Sequence, residues 1–323
     1  MWKGGKAITV CFDDFEIHSP LEVVLLGKQT SIFGNWEQKN EQWCFTPVVS
    51  FTEGMHYGLV REGTVIDSFR IERLTTGKTR VVGTYPSADT VPENLLKVHL
   101  LFSAPMGEQY SEGFITVTNA DGDTLSKTFL PLQPELWNVT HDHLTLWLDP
   151  GRIKRGLGPN LWLGQPLNKG QMYHLTISAE WKDRQGRPLE TEYRRTFVAG
   201  DADRQKPDPS SWQFSIPVAG TKDPLHIHFN EMMDFSLVTD CISIWQGQRF
   251  IPGDFRIGKG ESSVTFNPVN DWAPGRYQIS IETRLEDLAG NNLNRLFDED
   301  VRDIDSHSVT KDQIIEMEFE IGK

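Results

Sequence analysis

Cysteine is scarce in this chain: its 323 residues include three, Cys11, Cys44 and Cys241, and none of them stands in a CxxC pair. This excludes a dense disulfide framework and a zinc site of the paired-cysteine type. Cys11 and Cys44 could form a disulfide if their strands face each other. Free, buried cysteine is the favoured interpretation, because a small apolar thiol is often simply a core residue. Cysteine usage therefore leaves the redox compartment open.

Long apolar runs are also absent. No stretch of about 18 apolar residues occurs, and the first residues are not followed by the continuous apolar segment of a signal peptide. We therefore expect no transmembrane segment. We expect a periplasmic, cell-surface or secreted protein if a leader has been removed, and a cytoplasmic protein otherwise.

An excess of positive charge is missing as well, since the formal net charge is −13. Proteins that bind nucleic acids neutralise phosphates with Lys and Arg, so we expect no nucleic-acid partner. The negative charge favours solubility instead.

The signature motifs of common enzymes are not found. The chain has no GxSxG elbow, HExxH motif, Walker loop or dinucleotide fingerprint, and we expect no cofactor. A cofactor-free lyase, isomerase or hydrolase remains an alternative, because catalytic groups need to be neighbours in space rather than in sequence. Its candidate acid and base groups would be Glu135, His141, His143 and Asp149.

Short strands dominate what is present. Six segments are β-branched or alternating and are bounded by turn residues: 7–12, 21–26, 97–102, 114–117, 174–178 and 225–229. Helical periodicity of useful length is absent. Short strands with turn residues between them are typical of an antiparallel sandwich. The sequence therefore predicts an all-β chain.

One pattern occurs three times along the chain, at 43–59, 146–175 and 264–279. Each copy has a strand that ends at Pro and is followed by a strand that begins near Gly and Tyr. Such repetition predicts three tandem β-sandwich domains, with Phe45, Leu146 and Phe266 at equivalent core positions. Segments rich in Pro and Asp separate the copies, and they place the domains at 1–78, 79–200 and 208–323.

The third copy carries the motifs Leu225–Asp234, Pro274–Ile281 and Glu286–Leu293. In these motifs it resembles the bacterial Ig-like domain first known from S-layer proteins. The second copy is similar in a diverged form, through Leu100–Met106 and Trp181–Leu189, whereas the first copy lacks the last hairpin. The resemblance implies three tandem Ig-like antiparallel β-sandwich domains. It also implies a spacing, adhesion or ligand-presenting role in a cell-envelope or secreted protein.

The second copy contains an insertion, residues 151–164, that the third copy lacks. Arg152, Lys154, Arg155 and Trp162 lie in it, and Asp149 stands just before it. Cationic side chains and a glycine-rich backbone suit a carboxylate, sulfate or phosphate group, so we predict a ligand site. Replacing the three cations is then expected to leave the melting temperature nearly unchanged. The alternative is a loop that packs on the acidic surface of a neighbouring domain.

Strand parity predicts a second candidate surface. If Leu144 and Leu146 face the core, His143 and Trp147 point outward. The same alternation turns His99 outward on a strand that Ig-like topology makes a neighbour. These side chains would share one patch, and an outward Trp can stack on a sugar ring or anchor a partner. Cover by an adjacent domain is an equally favoured interpretation.

Metal sites receive less support. His226 and His228 share one face of a strand and could chelate a metal, which keeps a copper or other metal carrier as an alternative, but no third ligand is evident. We expect both imidazoles to face solvent without a metal. The acidic run 298–305 lacks the spacing of an EF-hand loop and is expected to be solvated.

Together these observations predict a non-enzymatic binding or structural module. Its partner would be a small anionic or carbohydrate ligand, or a protein, bound through the middle domain.

Overall fold

A computed structural model describes residues 2–3, 6–7, 9–12, 21–26, 30–39, 42–52, 54–71, 77–107, 109–298 and 313–322. The described part of the chain is all-β, with 46% of these residues in strands and 9% in helices, and its strand pairings are antiparallel with one parallel exception. The prediction of an all-β chain of antiparallel β-sandwiches is therefore confirmed. Backbone contacts divide the chain into two compact units, Met1–Gly77 and Lys78–Lys323. Within the described ranges, no helix is both long and apolar enough to span a membrane.

The first unit is a small sandwich of a three-stranded sheet, β3-β7-β6, and a four-stranded sheet, β5-β4-β8-β9. Alternation along β4 shows why these segments form strands, because Leu21 and Val23 are buried while Glu22 between them is exposed. Its strands are β1 (Trp2–Lys3), β2 (Lys6–Ala7), β3 (Val10–Phe12), β4 (Leu21–Leu25), β5 (Thr30–Ser31), β6 (Gly34–Lys39), β7 (Gln42–Pro47), β8 (His56–Arg61) and β9 (Thr64–Arg70).

Cys11 and Cys44 form a disulfide in this unit. The expectation of free cysteine at these two positions is wrong, because β3 and β7 pair antiparallel with Cys11 directly opposite Cys44 and their Cα atoms 4.0 Å apart. Cys241 is free and buried, and burial raises the pKa of its thiol to about 12.

The second unit contains two further sandwiches. In the second sandwich of the chain, one sheet has the order β10-β12-β15-β14 and the other the order β11-β17-β16-β13. Its elements are β10 (Val81–Tyr85), β11 (Thr90–Pro92), β12 (Lys97–Phe102), β13 (Ile115–Asn119), β14 (Leu136–Trp137), β15 (His143–Trp147), α1 (Pro150–Ile153), α2 (Gly158–Leu163), β16 (Met172–Ile177) and β17 (Tyr193–Gly200), with a short 3-10 helix at Ser111–Gly113.

The third sandwich pairs sheet β18-β19-β23-β22 with sheet β21-β20-β24-β25. Its elements are β18 (Gln213–Ser215), β19 (Leu225–His228), α3 (Phe235–Cys241), β20 (Ile242–Gln246), β21 (Arg249–Phe250), β22 (Gly253–Ile257), β23 (Ser263–Pro268), β24 (Gly275–Glu282) and β25 (Ile314–Ile321), with short 3-10 helices at Pro209–Ser211 and Lys259–Glu261.

The internal repeat extends to equivalent core contacts. Phe45, Leu146 and Phe266 are all buried, as their positions in the repeat predict. In the first and third sandwiches, a glycine of the neighbouring strand packs closely against the ring of this phenylalanine. A Cβ atom at Gly34 or Gly253 would lie 2.4 Å from the ring of Phe45 or Phe266, respectively. Both sandwiches therefore require glycine at this position for steric reasons.

A buried tyrosine performs the same task in every sandwich. Its hydroxyl accepts a hydrogen bond from a backbone N–H four or five residues earlier in the chain and so holds the loop that enters the strand. The three pairs are Tyr57 with Thr52 (2.9 Å), Tyr173 with Asn168 (2.8 Å) and Tyr277 with Ala273 (3.1 Å). This hydrogen bond explains the repeated Gly and Tyr pattern of the sequence.

Candidate functional site

Arg152, the first cation of the insertion, is buried rather than displayed. Its Nε donates to the carbonyl oxygen of Gly164 at 2.9 Å. Its two terminal nitrogens donate to the carbonyl oxygens of Ser126, Lys127, Leu163 and Gln165 at 3.0 to 3.4 Å. Burial lowers the pKa of the guanidinium. Arg152 therefore holds the two ends of the insertion against the neighbouring 126–127 turn, and its donors are used within the protein.

The other charged residues in and just before the insertion also contact the protein itself. Asp149 caps α1 by accepting a hydrogen bond from the backbone N–H of Gly151 at 2.8 Å. The Lys154 ammonium lies 4.5 Å from the centre of the Phe297 ring, and the Arg155 Nε lies 2.5 Å from Asp298 Oδ2. These contacts match the alternative that the loop packs on a neighbouring domain.

The surface that the insertion leaves open is apolar. Trp162 and Leu161 on α2 are 82% and 70% exposed. Leu157 and Leu163 beside them are also exposed. Arg152 fixes this surface in place through the carbonyl groups at the C-terminal end of α2.

His99, His143 and Trp147 lie on one face of a sheet, because β12 and β15 are paired neighbours. The third sandwich covers this face. The expected exposure of His99 is wrong, since 2% of the residue is accessible. Trp147 is half-buried, and the Lys97 ammonium lies 5.2 Å from the centre of its ring. Of the two interpretations of this patch, the structure matches cover by an adjacent sandwich.

Asp234 of the third sandwich is the centre of that contact. Its Oδ2 atom lies 3.1 Å from His99 Nε2 and 3.5 Å from Lys97 Nζ, and Lys97 Nζ lies 2.5 Å from Glu286 Oε2. The other oxygen of Asp234 caps α3 by accepting from two backbone N–H groups at 3.0 Å. Burial alone would raise the pKa of Asp234, but the hydrogen bond and charge of His99, with Lys97, hold it well below its usual range.

A chain of hydrogen bonds continues from Asp234 through His99 to His143. His99 Nδ1 lies 3.1 Å from His143 Nε2 and 3.1 Å from Thr145 Oγ1. Burial, together with the neighbouring His99, lowers the pKa of His143 to about 4, so this imidazole is neutral at neutral pH. Where the neutral His143 donates its Nε2–H to His99 Nδ1, its own Nδ1 is left as an acceptor.

His143 lines a cleft of about 530 Å³ at the junction of the second and third sandwiches. Tyr85 and Phe235 form one wall, with their rings stacked 3.7 Å apart between centroids. Polar and charged groups complete the lining together with two apolar side chains: Asn138, Ser236, Thr239, Asp240, Arg256, Phe255 and Ile257. We call this site the junction cleft. Of the predicted site residues, it includes His143.

Three carboxylates meet elsewhere in the second unit. One oxygen each of Asp203, Glu231 and Asp287 lies within 4.8 Å of the others, and such oxygens could hold a hard divalent cation. Burial, with the charges of Asp203 and Asp208, raises the pKa of Glu231 to about 7. Burial also raises the pKa of Asp287 to about 8, with a further contribution from the charge of Asp203. No motif in the sequence predicts this cluster.

The equivalent hairpin of the second sandwich also contains a buried carboxylate, but its surroundings differ. Asp183 occupies the place of Asp287, since each pairs across a bridge with a buried methionine, Met106 or Met233. Burial would raise the pKa of Asp183, but hydrogen bonds from Arg187 and Thr79 lower it. The second sandwich thus places Arg187 beside its buried aspartate, whereas the third places two further carboxylates beside Asp287.

His226 and His228 lie on β19, as predicted, with His228 exposed and His226 partly covered. His226 Nδ1 lies 3.0 Å from Thr265 Oγ1. Within the described part of the chain, neither imidazole belongs to a group of three potential metal ligands. Of the acidic run 298–305, residues 299–305 lie outside the described residues.

No protein-family model matches the chain, and no curated protein matches it. Among solved structures, it is similar to native alpha-2-macroglobulin from Escherichia coli spanning domains MG0-NIE-MG1, with 12% identity over 63% of this chain and 66% of that chain and a TM-score of 0.26. It is also similar to the full ectodomain of mouse nectin-like molecule 4 (13% identity, 86% and 90% covered, TM-score 0.23). A third similar structure is that of the chicken CNTN1 FN1-FN3 domains (11% identity, 89% and 91% covered, TM-score 0.19). Values this low carry no inference about function.

Proposed function

We propose that the protein is a non-enzymatic binding module that holds a carbohydrate ligand in the junction cleft. A multi-domain Ig-like fold matches a binding or structural module in general. The proposal rests on one observation: the cleft combines stacked aromatic rings with the His143 imidazole, which contacts through His99 connect to the buried carboxylate of Asp234.

The chemistry of the lining favours a polyhydroxyl ligand over a simple anion. Asp240 and Arg256 both line the cleft and their charges oppose each other, so the lining carries no net positive charge for a carboxylate or phosphate. Sugar hydroxyls both donate and accept hydrogen bonds, which matches an acceptor at His143, donors on Arg256 and mixed groups such as Asn138. The rings of Tyr85 and Phe235 offer an apolar wall for the face of a sugar.

The same lining argues for binding rather than catalysis. A general base works best when its pKa lies near the working pH, and the pKa of His143 is about 4. Asp240 is the one carboxylate among the described residues that line the cleft, so the cleft lacks the pair of carboxylates that glycoside hydrolysis uses. These two features favour recognition without turnover.

We also propose that the three sandwiches are domains with limits near 1–78, 79–200 and 208–323, and that they belong to the S-layer type of bacterial Ig-like domain. The motifs Leu225–Asp234 and Glu286–Leu293 support this relationship. The hydrogen bonds between Asn94 and the backbone of Asp203, at 2.7 and 2.9 Å, support a close junction between the second and third domains.

Calorimetric titration of the full chain tests the binding proposal. The probes are tetrasaccharides of glucose, of N-acetylglucosamine and of galacturonic acid. We expect at least one to bind, and we expect His143→Ala and Arg256→Ala each to weaken that binding by about tenfold, the effect of one lost hydrogen bond of about 1.4 kcal/mol. Arg249→Ala is the matched control, because Arg249 is exposed on the same sandwich and does not line the cleft. Absence of binding to all three, or equal binding by all variants, would contradict the proposal.

A further inference from the structure

The second sandwich contains a cavity of about 700 Å³ that is distinct from the junction cleft. It lies beside β13 and β14, which are edge strands of the two opposing sheets. Residues 120–135 link these strands and contain no helix or strand of their own. Ile115 and Val117 line the cavity from one sheet, and Leu144 and Leu146 line it from the other. The cavity therefore lies at the edge of the space between the two sheets.

We infer that this cavity binds a neutral, elongated, apolar small molecule. Opposing sheets of a sandwich lie about 10 Å apart, so the space between them accommodates one layer of side chains. An α-helix with its side chains is about 10 to 12 Å wide and does not fit into this space. A flat or linear molecule fits, and about 700 Å³ lies within the usual size of a small-molecule site.

The lining explains why the ligand should be apolar. The linking segment adds Leu125, Phe129, Leu130 and Leu132 to the aliphatic side chains of the two sheets. Leu125 and Phe129 are partly buried and pack against the core of this sandwich. A bound apolar molecule would extend that core and would be stabilised by the area it removes from water.

The charges explain why the ligand should be neutral. Glu112, Glu135 and Asp149 line the cavity against a single cation, Lys127. The carboxylate of Glu135 already accepts hydrogen bonds from the Ser111 N–H at 2.7 Å and the Trp137 Nε1–H at 3.0 Å. An anionic head group would meet an excess of negative charge at this site. A hydroxyl or an uncharged end group would not.

Fluorescence titration of the full chain with N-phenyl-1-naphthylamine, a neutral apolar probe, tests the inference. We expect a saturable increase at one site per chain and displacement by 1-dodecanol at lower concentration than by laurate. Ile115→Trp and Leu132→Trp should fill the cavity and weaken probe binding by about tenfold or more, the effect of about 1.4 kcal/mol. Val139→Trp is the matched control, because Val139 is an exposed apolar residue outside the cavity lining.

Two further measurements keep the inference testable. If a filling variant fails to fold, methyl NMR of the wild type should show dodecanol-induced shifts at Ile115 and Leu125 and none at Val139. Absence of a saturable increase, equal binding by all three variants, or displacement by laurate alone would overturn the inference. Binding of tetrasaccharides by the Ile115→Trp variant separates this site from the junction cleft, since filling the cavity should leave the cleft intact.

Discussion

His99 Nε2 lies 3.1 Å from Asp234 Oδ2, although the two residues belong to different sandwiches and are 135 positions apart. This hydrogen bond turns the outer face of the β12 and β15 sheet into an internal surface. It also connects Asp234 through His99 to His143. The second and third sandwiches thereby share one compact unit with a cleft at their junction.

Replacing Asp234 with Asn should destabilise the second unit by about 3 kcal/mol, because Lys97 would lose its buried counter-charge and His99 would lose its carboxylate partner. The depressed pKa of Asp234 adds a pH dependence. Its contribution is present above the unfolded-state pKa of about 4 and is lost as the pH falls further. Urea unfolding of both proteins between about pH 3 and 7 measures this effect. Asp240→Asn, an exposed change in the same helix, is the control. Equal stabilities at all pH values would argue against the buried ion pair.

Replacing Glu231 with Gln should reduce the loss of stability that the protein undergoes as the pH rises. The pKa of Glu231 is about 7 in the folded protein, compared with about 4.3 in the unfolded chain. The folded state therefore loses stability as the pH rises from about 4.3 to about 7. The wild type should melt at a lower temperature at about pH 8 than at pH 5, and the variant should lose less. Melting scans with a chelator present measure this, and Glu180→Gln is the exposed control. A variant with the wild-type pH profile would contradict the raised pKa.

Replacing Arg152 with Ala should cost about 2 to 4 kcal/mol, because five backbone carbonyl groups would lose a charged donor. Lys154→Ala and Arg155→Ala should each change stability by less than about 1 kcal/mol, since both act at the surface. Thermal melting of the three single variants measures the difference. This revises the expectation, drawn from sequence, that replacing all three cations leaves the melting temperature unchanged. Equal melting temperatures would restore it.

Replacing Tyr277 or Tyr173 with Phe should each cost about 1 to 2 kcal/mol, because a backbone N–H would lose its buried acceptor. Tyr110→Phe should be neutral, since Tyr110 is exposed. Chemical unfolding of the three variants checks the equivalence of the repeats. A neutral result at both buried positions would mean that the repeated hydroxyl has no structural role.

Much of the fold could be predicted from the sequence because the repeated pattern indicates which positions are buried in the core. Phe45, Leu146 and Phe266 stand at the same place in a periodic pattern, and burial follows from that pattern. Alternation likewise gives the side of the sheet on which His99 and His143 lie. Neither argument depends on residues far away in the chain.

The candidate site could not be predicted in the same way, because it is formed by contacts between residues far apart in the chain, and the alternation of buried and exposed residues along a strand does not specify such contacts. Parity states that His99 points away from its own core, but not that Asp234 will cover it. The cationic pattern of the insertion shows the charge of Arg152, but not that its donors face inward to carbonyl groups. The pairing of Cys11 with Cys44 depends on the register of β3 against β7, which a three-residue strand does not specify by itself. The helix cap at Asp234 was the one local signal that could have drawn attention to this residue.

The proton positions at the junction cleft test the central claim most directly. Long-range ¹H–¹⁵N correlation spectra of the full chain distinguish the two neutral imidazole forms. At about pH 7 we expect His143 to carry its proton on Nε2, with Nδ1 unprotonated and its resonance shifted by the tetrasaccharide that binds. Asp234→Asn should abolish this preference. A proton on His143 Nδ1, or a His143 signal that neither the ligand nor the Asp234 variant changes, would contradict the proposed binding site.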